Sequence, residues 1–512
     1  MYNLLVGILL GFYVITAAAL FLYGTNCYVM IYLCLKSKKK ADKEEQDVLD
    51  RFWRPEHDID WPMVTTQLPI YNERNVVGRL IEAVCRIDYP RDRHEIQVLD
   101  DSTDDTAELV AGLVAEKKAQ GFDISHLRRT NRRGYKAGAL AEGMEKAKGE
   151  YLAVFDADFV PNRDFLKKTV PFLAKDEHCG FVQTRWGHRN RWFSPLTLAQ
   201  SIGIDGHFAV EQSARSWNGL FLNFNGTAGL WRRKAIEEAG GWQSDTLTED
   251  LDLSYRTQLA GWNPRFLFNV VTPAEIPIDI NAFKSQQHRW AKGSIQTAIK
   301  ILPEVFRRED ISLFKKVQAF LHLTHYMIHP MMLIMTVLVL PLLYLARTWF
   351  SPVIMVPLLG FMVLSLIAPN ALYIFSQKMA YKDGWIKAVL FLPALMALGV
   401  GLAVNNSRAV LEALLDKPSE FVRTPKLGEL AEKTGKAGSK KKKGTGRNYS
   451  LPLSKGFLLE IFMGLWSFIA FLKYLFLTKF IIGPLLLLYS VGFTSVGVIS
   501  LLHSLRARKI GG

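Results

Sequence analysis

The chain has 512 residues, of which 49% are hydrophobic, and its formal net charge is +15 at neutral pH. This length predicts more than one structural unit. The four cysteines lack metal-ligand spacing, which argues against a disulfide framework and against a zinc site. Because the apolar residues concentrate at the N-terminus and in the last two-fifths of the chain, we expect an integral, multi-pass protein of a lipid bilayer with a globular insert.

The positive charge lies beside the apolar segments rather than in one surface patch. Three basic clusters carry much of it, at residues 36–40, 436–443 and 506–509. Basic residues that flank membrane spans mark cytoplasmic loops and also contact anionic lipid headgroups. This distribution argues against a nucleic-acid partner.

The first apolar segment, assigned to residues 1–36, is long enough to cross a bilayer as a helix, for which about 20 residues suffice. Its basic residues follow the apolar run rather than precede it, which disfavours a cleaved signal peptide. We therefore predict a retained transmembrane helix with its N-terminus outside and a cytoplasmic domain after it.

Residues 50–310 have the composition of a soluble domain. Short apolar strands alternate there with segments of helical periodicity, namely Met63–Ile70, Val76–Cys85, Glu95–Leu99, Thr106–Gln120 and Tyr151–Phe155. This alternation predicts a doubly wound, Rossmann-like α/β domain with a mainly parallel sheet. Ligands of such domains bind beyond the carboxyl ends of the strands.

The remaining apolar segments predict transmembrane helices within residues 319–376 and 456–504. A further apolar segment, residues 389–404, could also span the membrane. Five spans after the soluble domain would, however, place the lysine-rich residues 417–455 outside the cell, against the positive-inside rule. We therefore predict interfacial helices at residues 385–416 and a cytoplasmic loop after them.

Polar residues follow the first two predicted strands. Tyr71 and Glu73 could stack on a nucleobase and hydrogen-bond to it, although an ordinary turn with Glu73 in the first helical turn is the alternative. Asp100 and Asp101 begin a run of four carboxylates in six residues. Repulsion within such a run costs free energy unless a cation or hydrogen-bond donors offset it. The later two carboxylates of the run could simply begin a helix.

Asp156 and Asp158 form an Asp-x-Asp motif after the predicted strand that ends at Phe155. This motif offers two oxygen ligands to a hard cation such as Mg²⁺, which takes one or two protein carboxylates and completes its shell with phosphate and water. Lys136, flanked by small residues, could meet a diphosphate as a point charge. A solvated lysine in a glycine-rich turn is the alternative.

A third acidic group is Thr248-Glu249-Asp250, at the start of a predicted helix. A carboxylate at the mouth of a pocket can act as a general base. Acidic residues also occur simply as part of a capped first turn. We assign the base to Asp250 and the helix cap to Thr248.

Gln286, Arg289 and Trp290 project from one side of a predicted helix, at positions i, i+3 and i+4. An indole can stack on a sugar face, and a guanidinium can meet phosphate. Interfacial anchoring is the alternative for the last two residues because a membrane span follows. His288 is assigned to packing or to a polar surface.

In this order, and before several predicted membrane helices, these motifs resemble the processive family 2 glycosyltransferases, which include cellulose, chitin and hyaluronan synthases. The amino-acid sequences of these motifs are most similar to those of the cellulose synthase-like A and C groups, which are the mannan/glucomannan and xyloglucan-backbone synthases. The matching segments are residues 97–106, 132–140, 224–233, 248–256 and 286–290. Several motifs in the right order are more specific than any one of them.

The resemblance implies a GT-A fold between transmembrane helices, a divalent cation (Mg²⁺ or Mn²⁺) and inversion at the anomeric carbon. It also implies residue roles. The nucleobase and ribose would be bound by Tyr71, Glu73 and Asp100 or Asp101, the diphosphate by Lys136 and Asp156, and the metal by Asp158 and Asp156. Asp250 would be the base, and the diphosphate and the acceptor would be bound by Gln286, Arg289, Trp290 and Glu249. Residues 224–227 resemble a segment that lines the acceptor site. Residues 421–426 resemble a gating loop, with Arg423 departing from the usual pattern.

The implied function is a hexosyltransferase that polymerises a β-mannan, glucomannan or β-glucan from GDP-mannose or UDP-glucose at the cytoplasmic face, and passes the growing polysaccharide through the membrane. The similarity of the motifs to those of mannan synthases favours GDP-mannose, although no single residue decides between the two donors. One alternative is single transfer to a lipid-linked acceptor, and another is a transporter or scaffold with an inert nucleotide-binding domain. A bacterial inner membrane is the favoured location, or a Golgi membrane if the source is eukaryotic.

Overall fold

The computed structural model describes residues 2–52, 60–345, 352–419, 456–476 and 483–511. The soluble domain is built on one sheet, whose strands are β1 (Val64–Ile70), β2 (His94–Asp100), β3 (Asp123–Arg128), β4 (Tyr151–Val154), β5 (Cys179–His188), β6 (Gly229–Arg232) and β7 (Asn263–Ala274). Their spatial order is β3-β2-β1-β4-β6-β5-β7. Only β6 runs antiparallel to its neighbours, so the sheet is mainly parallel, as predicted.

Helices cover the sheet and continue beyond it. Those that precede β7 are α1 (Tyr2–Phe52), α2 (Arg74–Cys85), α3 (Thr106–Ala119), α4 (Tyr135–Lys146), α5 (Phe165–Lys175), α6 (Pro195–Asp205), α7 (Ser213–Trp217), α8 (Arg233–Glu238) and α9 (Glu249–Leu259). Those that follow it are α10 (Ile280–Arg307), α11 (Leu313–Leu323), α12 (Ile328–Leu345), α13 (Pro352–Ala380), α14 (Trp385–Val389), α15 (Leu392–Gly401), α16 (Ala403–Leu414), α17 (Gly456–Phe476) and α18 (Gly483–Gly511).

The central strands β1, β2 and β4 are buried on both faces. Val64 and Leu68 of β1 pack with Val98 of β2 and with α2, and all three side chains are inaccessible to solvent. The strands and helices expected up to residue 155 are confirmed to within two residues at each end. This sheet brings the carboxyl ends of β1, β2 and β4 side by side.

Helix α1 continues well past the predicted boundary at residue 36. Its polar part contains good helix formers, and the ion pairs Lys38–Asp42 (2.6 Å) and Lys40–Glu44 (3.7 Å) join residues one turn apart. The end of the apolar run is therefore not the end of the helix. The extension passes from the apolar region to the side of the α/β domain, where Val48 and Leu49 pack against its core.

Four described helices are long and apolar enough to cross a membrane: Tyr2–Phe52, His325–Leu345, Gly456–Phe476 and Gly483–Leu505. Helices α15 and α16 meet at a bend of 41°, and the segment 385–414 counts as a fifth only if it is one broken span. The assignment of residues 385–416 to the interface stays a prediction, with which this bend agrees. The gating-like residues 421–426 and the basic residues 436–443 lie outside the described residues.

Helix α10 connects the α/β domain to the helical region. Ala291 and Ile295 of this helix pack against Ala409 and Val410 of α16. On another side of α10, a Cβ atom at Gly293 would lie 2.6 Å from the side chain of Thr248. The glycine thus permits the close approach that brings α10 against the start of α9.

Candidate active site

A cavity of about 160 Å³ lies at the carboxyl ends of β1, β2, β4, β5 and β7. The residues singled out from the sequence that line it are Tyr71, Glu73, Asp101, Lys136, Asp156, Asp158, Glu249, Asp250, Gln286, Arg289 and Trp290. They come from loops after three strands and from three helices, which only the folded chain brings together. A doubly wound sheet binds its ligands at this edge.

One end of the cavity, after β1 and β2, carries an aromatic ring beside a cation. The guanidinium of Arg132 lies 3.4 Å from the centroid of the Tyr71 ring. Asp101 is held in place by Arg129, whose Nε and Nη2 donate to its two carboxylate oxygens at 2.8 and 2.5 Å. This fork-to-fork geometry fixes the carboxylate more firmly than a single hydrogen bond would.

The structure does not bring Asp100 to the cavity, which corrects its assignment as a donor-binding residue. Its carboxylate is fully buried and accepts hydrogen bonds from His126 Nε2 and from the Ser102 backbone N–H, both at 2.8 Å. Burial opposes ionisation, but these two hydrogen bonds lower the pKa of Asp100. Asp100 therefore shapes the turn that presents Asp101.

The middle of the cavity, after β4, contains an ion pair. Lys136 Nζ lies 2.5 Å from Asp156 Oδ1 and donates to the Gly226 carbonyl at 2.8 Å. Helix α4 begins just before this lysine, after Gly134 in the left-handed region at φ 70°. Burial opposes the charge on the amine, but Asp156 and Glu249 raise the pKa of Lys136, so it remains a cation.

Asp156 and Asp158 also fit a divalent cation. Both line the cavity, and the Asp156 backbone N–H donates to Thr227 Oγ1 at 2.8 Å, which fixes the turn. Among the described residues no cluster of three or more His, Cys, Asp or Glu residues could hold a metal ion. Two carboxylates with room for phosphate oxygens are the donor set that Mg²⁺ or Mn²⁺ uses when the substrate completes its shell.

Asp250 lies on the first turn of α9, across the cavity from α4. A Cβ atom at Gly226 would be 3.0 Å from Asp250 Oδ2 and 3.4 Å from Lys136 Nζ, so both charged groups flank this glycine. Burial and the neighbouring Glu249 carboxylate raise the pKa of Asp250 to about 7, against the effect of Lys136. A carboxylate with such a pKa is suited to proton transfer near neutral pH.

Thr248 occupies the N-cap position of α9, but its side chain makes no capping hydrogen bond, contrary to the prediction. Its hydroxyl lies instead 3.3 Å from Thr297 Oγ1 of α10. The close packing of α10 at Gly293 turns the threonine toward that helix. Thr248 therefore joins α9 to α10.

The spacing argument for α10 is confirmed, because Gln286, Arg289 and Trp290 all line the cavity. His288 points elsewhere, and its Nε2 lies 3.0 Å from Glu412 of α16. The sequence did not single out three further lining residues: Arg132, His188 and Glu275. A lone polar residue at the end of a strand gave no signal, whereas Arg132 stood inside a matched motif.

A mainly parallel sheet with an Asp-x-Asp turn and a base candidate at its carboxyl edge defines a glycosyltransferase of the GT-A fold. Residues 67–240 match the family described as Glycosyl transferase family 2. Glucomannan 4-beta-mannosyltransferase 2 of Arabidopsis thaliana is 34% identical over 462 residues, which is 86% of this chain and 82% of that protein. The chain therefore belongs to the family 2 glycosyltransferases, in the group of the glucomannan 4-beta-mannosyltransferases.

Other relatives match over a shorter part. Glucomannan 4-beta-mannosyltransferase 1 of Oryza sativa subsp. japonica is 43% identical over 261 residues, and the chain spans 50% of the length of that protein. Among solved structures, a mannosyltransferase from Pyrobaculum calidifontis in complex with GDP-Man and Mn²⁺ is 20% identical, with a TM-score of 0.45. That alignment covers 77% of this chain and 99% of the other.

Proposed function

We propose that the chain is an inverting hexosyltransferase that polymerises a β-mannan or glucomannan, with GDP-mannose as its main donor. The observation that carries the proposal is that Lys136, Asp156, Asp250 and Trp290 line one cavity. The choice of sugar is supported by the names of the relatives, which are glucomannan 4-beta-mannosyltransferases.

The order of the strands suggests how the donor lies. The nucleobase would stack at Tyr71, with Glu73 and Asp101 as its polar neighbours at the ends of β1 and β2. The diphosphate would then lie at β4, next to Lys136 and the Asp-x-Asp turn. The transferred sugar would then lie beneath α9 and α10, next to Glu249 and Trp290.

A divalent cation held by Asp156 and Asp158 would neutralise charge on the diphosphate. Lys136 would bind the same group from the side of α4, and Arg289 from α10. Mg²⁺ and Mn²⁺ both suit carboxylate oxygens, so the residues accept either ion.

Asp250 would accept the proton of the acceptor hydroxyl. The acceptor oxygen then attacks the anomeric carbon from the face opposite the diphosphate, the bond from that carbon to the phosphate oxygen breaks, and its electron pair leaves with the nucleoside diphosphate. One displacement inverts the anomeric configuration, so an α-linked donor gives a β-linked product. Trp290 and Gln286 would hold the acceptor end in line, since alignment alone contributes much to such a reaction.

The cavity would open to the cytoplasm, and the polysaccharide would pass through the helical region. Lys36 and the basic residues after it lie on the part of α1 that faces the α/β domain, which agrees with the positive-inside rule. Helix α10 runs without a break from the cavity into the helical region. The bilayer and the growing polysaccharide are thus the expected partners, while Golgi and bacterial inner membranes both suit this topology.

The test is to supply the full-length protein in lipid nanodiscs with labelled GDP-mannose or UDP-glucose. We expect a long product from GDP-mannose that an endo-β-1,4-mannanase degrades. Addition of single sugars to a lipid would contradict polymerisation, and turnover of neither donor would favour an inert domain. Chelation should abolish synthesis, and back-titration with Mg²⁺ or Mn²⁺ should identify the ion.

A further inference from the structure

A short π-helical segment, Gly206–Gln212, lies between the cavity and the membrane helices. Val210 of this segment is fully buried against Met30 of α1 and Leu372 of α13. π-Helical turns are rare, and they occur frequently at functional sites. This segment therefore joins the α/β domain to two helices of the helical region.

Two partly exposed titratable side chains project from the π-helical segment. His207 Nδ1 lies 3.0 Å from Glu211 Oε2, and the two side chains are 27% and 36% exposed. Burial opposes ionisation of this carboxyl, but His207 and Arg215 lower the pKa of Glu211, so it remains a carboxylate. A carboxylate can only accept, so Nδ1 of the imidazole carries the proton that is shared with Glu211.

With a proton on Nδ1, the imidazole ring presents Nε2 as an acceptor. That nitrogen lies 3.1 Å from Asn225 Nδ2, which is a donor. The other end of the same amide accepts from Gln212 Nε2 at 2.7 Å. The Asn225 backbone N–H donates to Gln183 Oε1 at 2.8 Å. Donors and acceptors match at every contact, so the network allows one orientation of the Asn225 amide.

Asn225 and the following residue, Gly226, both line the cavity. The Gly226 carbonyl accepts a hydrogen bond from Lys136, and a Cβ atom at this glycine would lie 3.0 Å from Asp250 Oδ2. The contacts thus run from the π-helical segment through Asn225 to Gly226, which lies beside both Lys136 and Asp250.

We propose that His207 and Glu211 are positioning residues of the transferase, which fix the Asn225 amide so that it meets the acceptor sugar beside Asp250. The inference rests on the proposed function, because it takes Asp250 as the base. Asn225 touches the acceptor, whereas His207 and Glu211 act through it. The required property of Glu211 is an acceptor for the imidazole N–H, not a negative charge.

A matched pair of variants tests that property. Glu211→Gln keeps an acceptor oxygen for Nδ1–H, and Glu211→Leu removes it at similar size. We expect the acceptor KM, measured with manno-oligosaccharides, to stay within about threefold of wild type in the first and to rise about tenfold in the second. The affinity for GDP should change much less than the acceptor KM in either variant, because the nucleobase would bind at β1 and β2, away from Asn225.

A double-mutant cycle tests whether the effect passes through Asn225. His207→Ala and Asn225→Ala should each raise the acceptor KM, and the double variant should be no worse than Asn225→Ala alone. Glu237→Leu is the control, because it breaks another ion pair of the same spacing, Arg233–Glu237 at 2.8 Å, whose residues do not line the cavity. It should change neither constant.

Equal effects of the Gln and Leu variants, or additive effects in the cycle, would overturn the proposal. Thermal unfolding with GDP present identifies any variant that has lost its fold, and the conservative Gln variant keeps the comparison informative in that case. If wild type makes no polymer, the proposed function fails instead. The inference is then decided by the affinity of the same variants for manno-oligosaccharides.

Discussion

Charged side chains are arranged differently in the cavity and in the helical region. In the cavity, Glu249 and Asp250 are adjacent carboxylates that share the nearby Lys136, and burial together with their mutual repulsion raises the pKa of Asp250. In the helical region, Glu460 of α17 faces Lys284 of α10, with an N–O distance of 2.5 Å and side chains that are 1% and 5% exposed. The charged groups of the cavity are therefore accessible to a substrate, whereas those of Glu460 and Lys284 are paired in a contact between helices.

This difference separates two uses of charge that the sequence alone presents in the same way. An ion pair buried between helices joins them only while both partners are present, since loss of one leaves a buried, uncompensated charge. A crowded carboxylate in a cavity instead destabilises the empty protein, and in the proposed reaction it would accept a proton. Activity and stability should therefore respond in opposite ways in the two regions.

The largest effect is expected for Asp250→Asn. Because the amide cannot take the acceptor proton, kcat should fall by about 10²–10⁴-fold, while the affinity for the nucleotide stays the same. Initial rates of polymer synthesis measure this. Asp245→Asn is the matched control, since that carboxylate lies in the preceding loop and pairs with Lys300 at 2.7 Å. Undiminished turnover in the Asp250 variant would remove it as the base.

The next effect concerns stability. Glu460→Leu leaves Lys284 charged and buried, and it should cost about 3–5 kcal/mol of unfolding free energy. Pairing it with Lys284→Met should recover most of this loss, because two apolar side chains need no counter-charge. Denaturant unfolding in detergent micelles measures both variants. A double variant as unstable as the single one would show that the pair does not join α10 to α17.

The pH dependence of the rate should show the crowded carboxylate directly. The base acts only when deprotonated, and the pKa of Asp250 is raised to about 7. With decreasing pH, kcat should thus fall about tenfold per pH unit once the pH is below this value. The residual activity of Asp250→Asn should not show this decrease of kcat at low pH. A decrease that persists in the variant would assign the titration to another group.

The smallest effect is a gain in stability in the same variant. A carboxyl with a raised pKa in the folded state contributes stability at low pH that is lost as the pH rises through about 7. At pH 8, Asp250→Asn should therefore unfold at a higher temperature than wild type, because the amide carries no charge to bury. Calorimetry at pH 8 and pH 4 tests this, since the difference should vanish at the lower pH.

Much of the site was predictable because its parts are local. Asp156 and Asp158 follow a buried strand, and Gln286, Arg289 and Trp290 share one helix face, so spacing alone places each group. The sequence could not show which of Asp100 and Asp101 reaches the cavity. Adjacent residues at the end of a strand point to opposite sides, and only the position of His126 decides which carboxylate is buried. The side chain of Thr248 was mispredicted because a helix from a distant part of the chain replaces the capping contact.

The sequence by itself determined the mainly parallel sheet, the carboxylates at its edge and the apolar segments, because these depend on the periodicity of neighbouring residues. Only the tertiary structure decided that His207 and Glu211 support Asn225, that Glu460 meets Lys284, and that α1 continues along the domain. These contacts join residues far apart in the chain. Their distances depend on how helices pack, which no local pattern encodes.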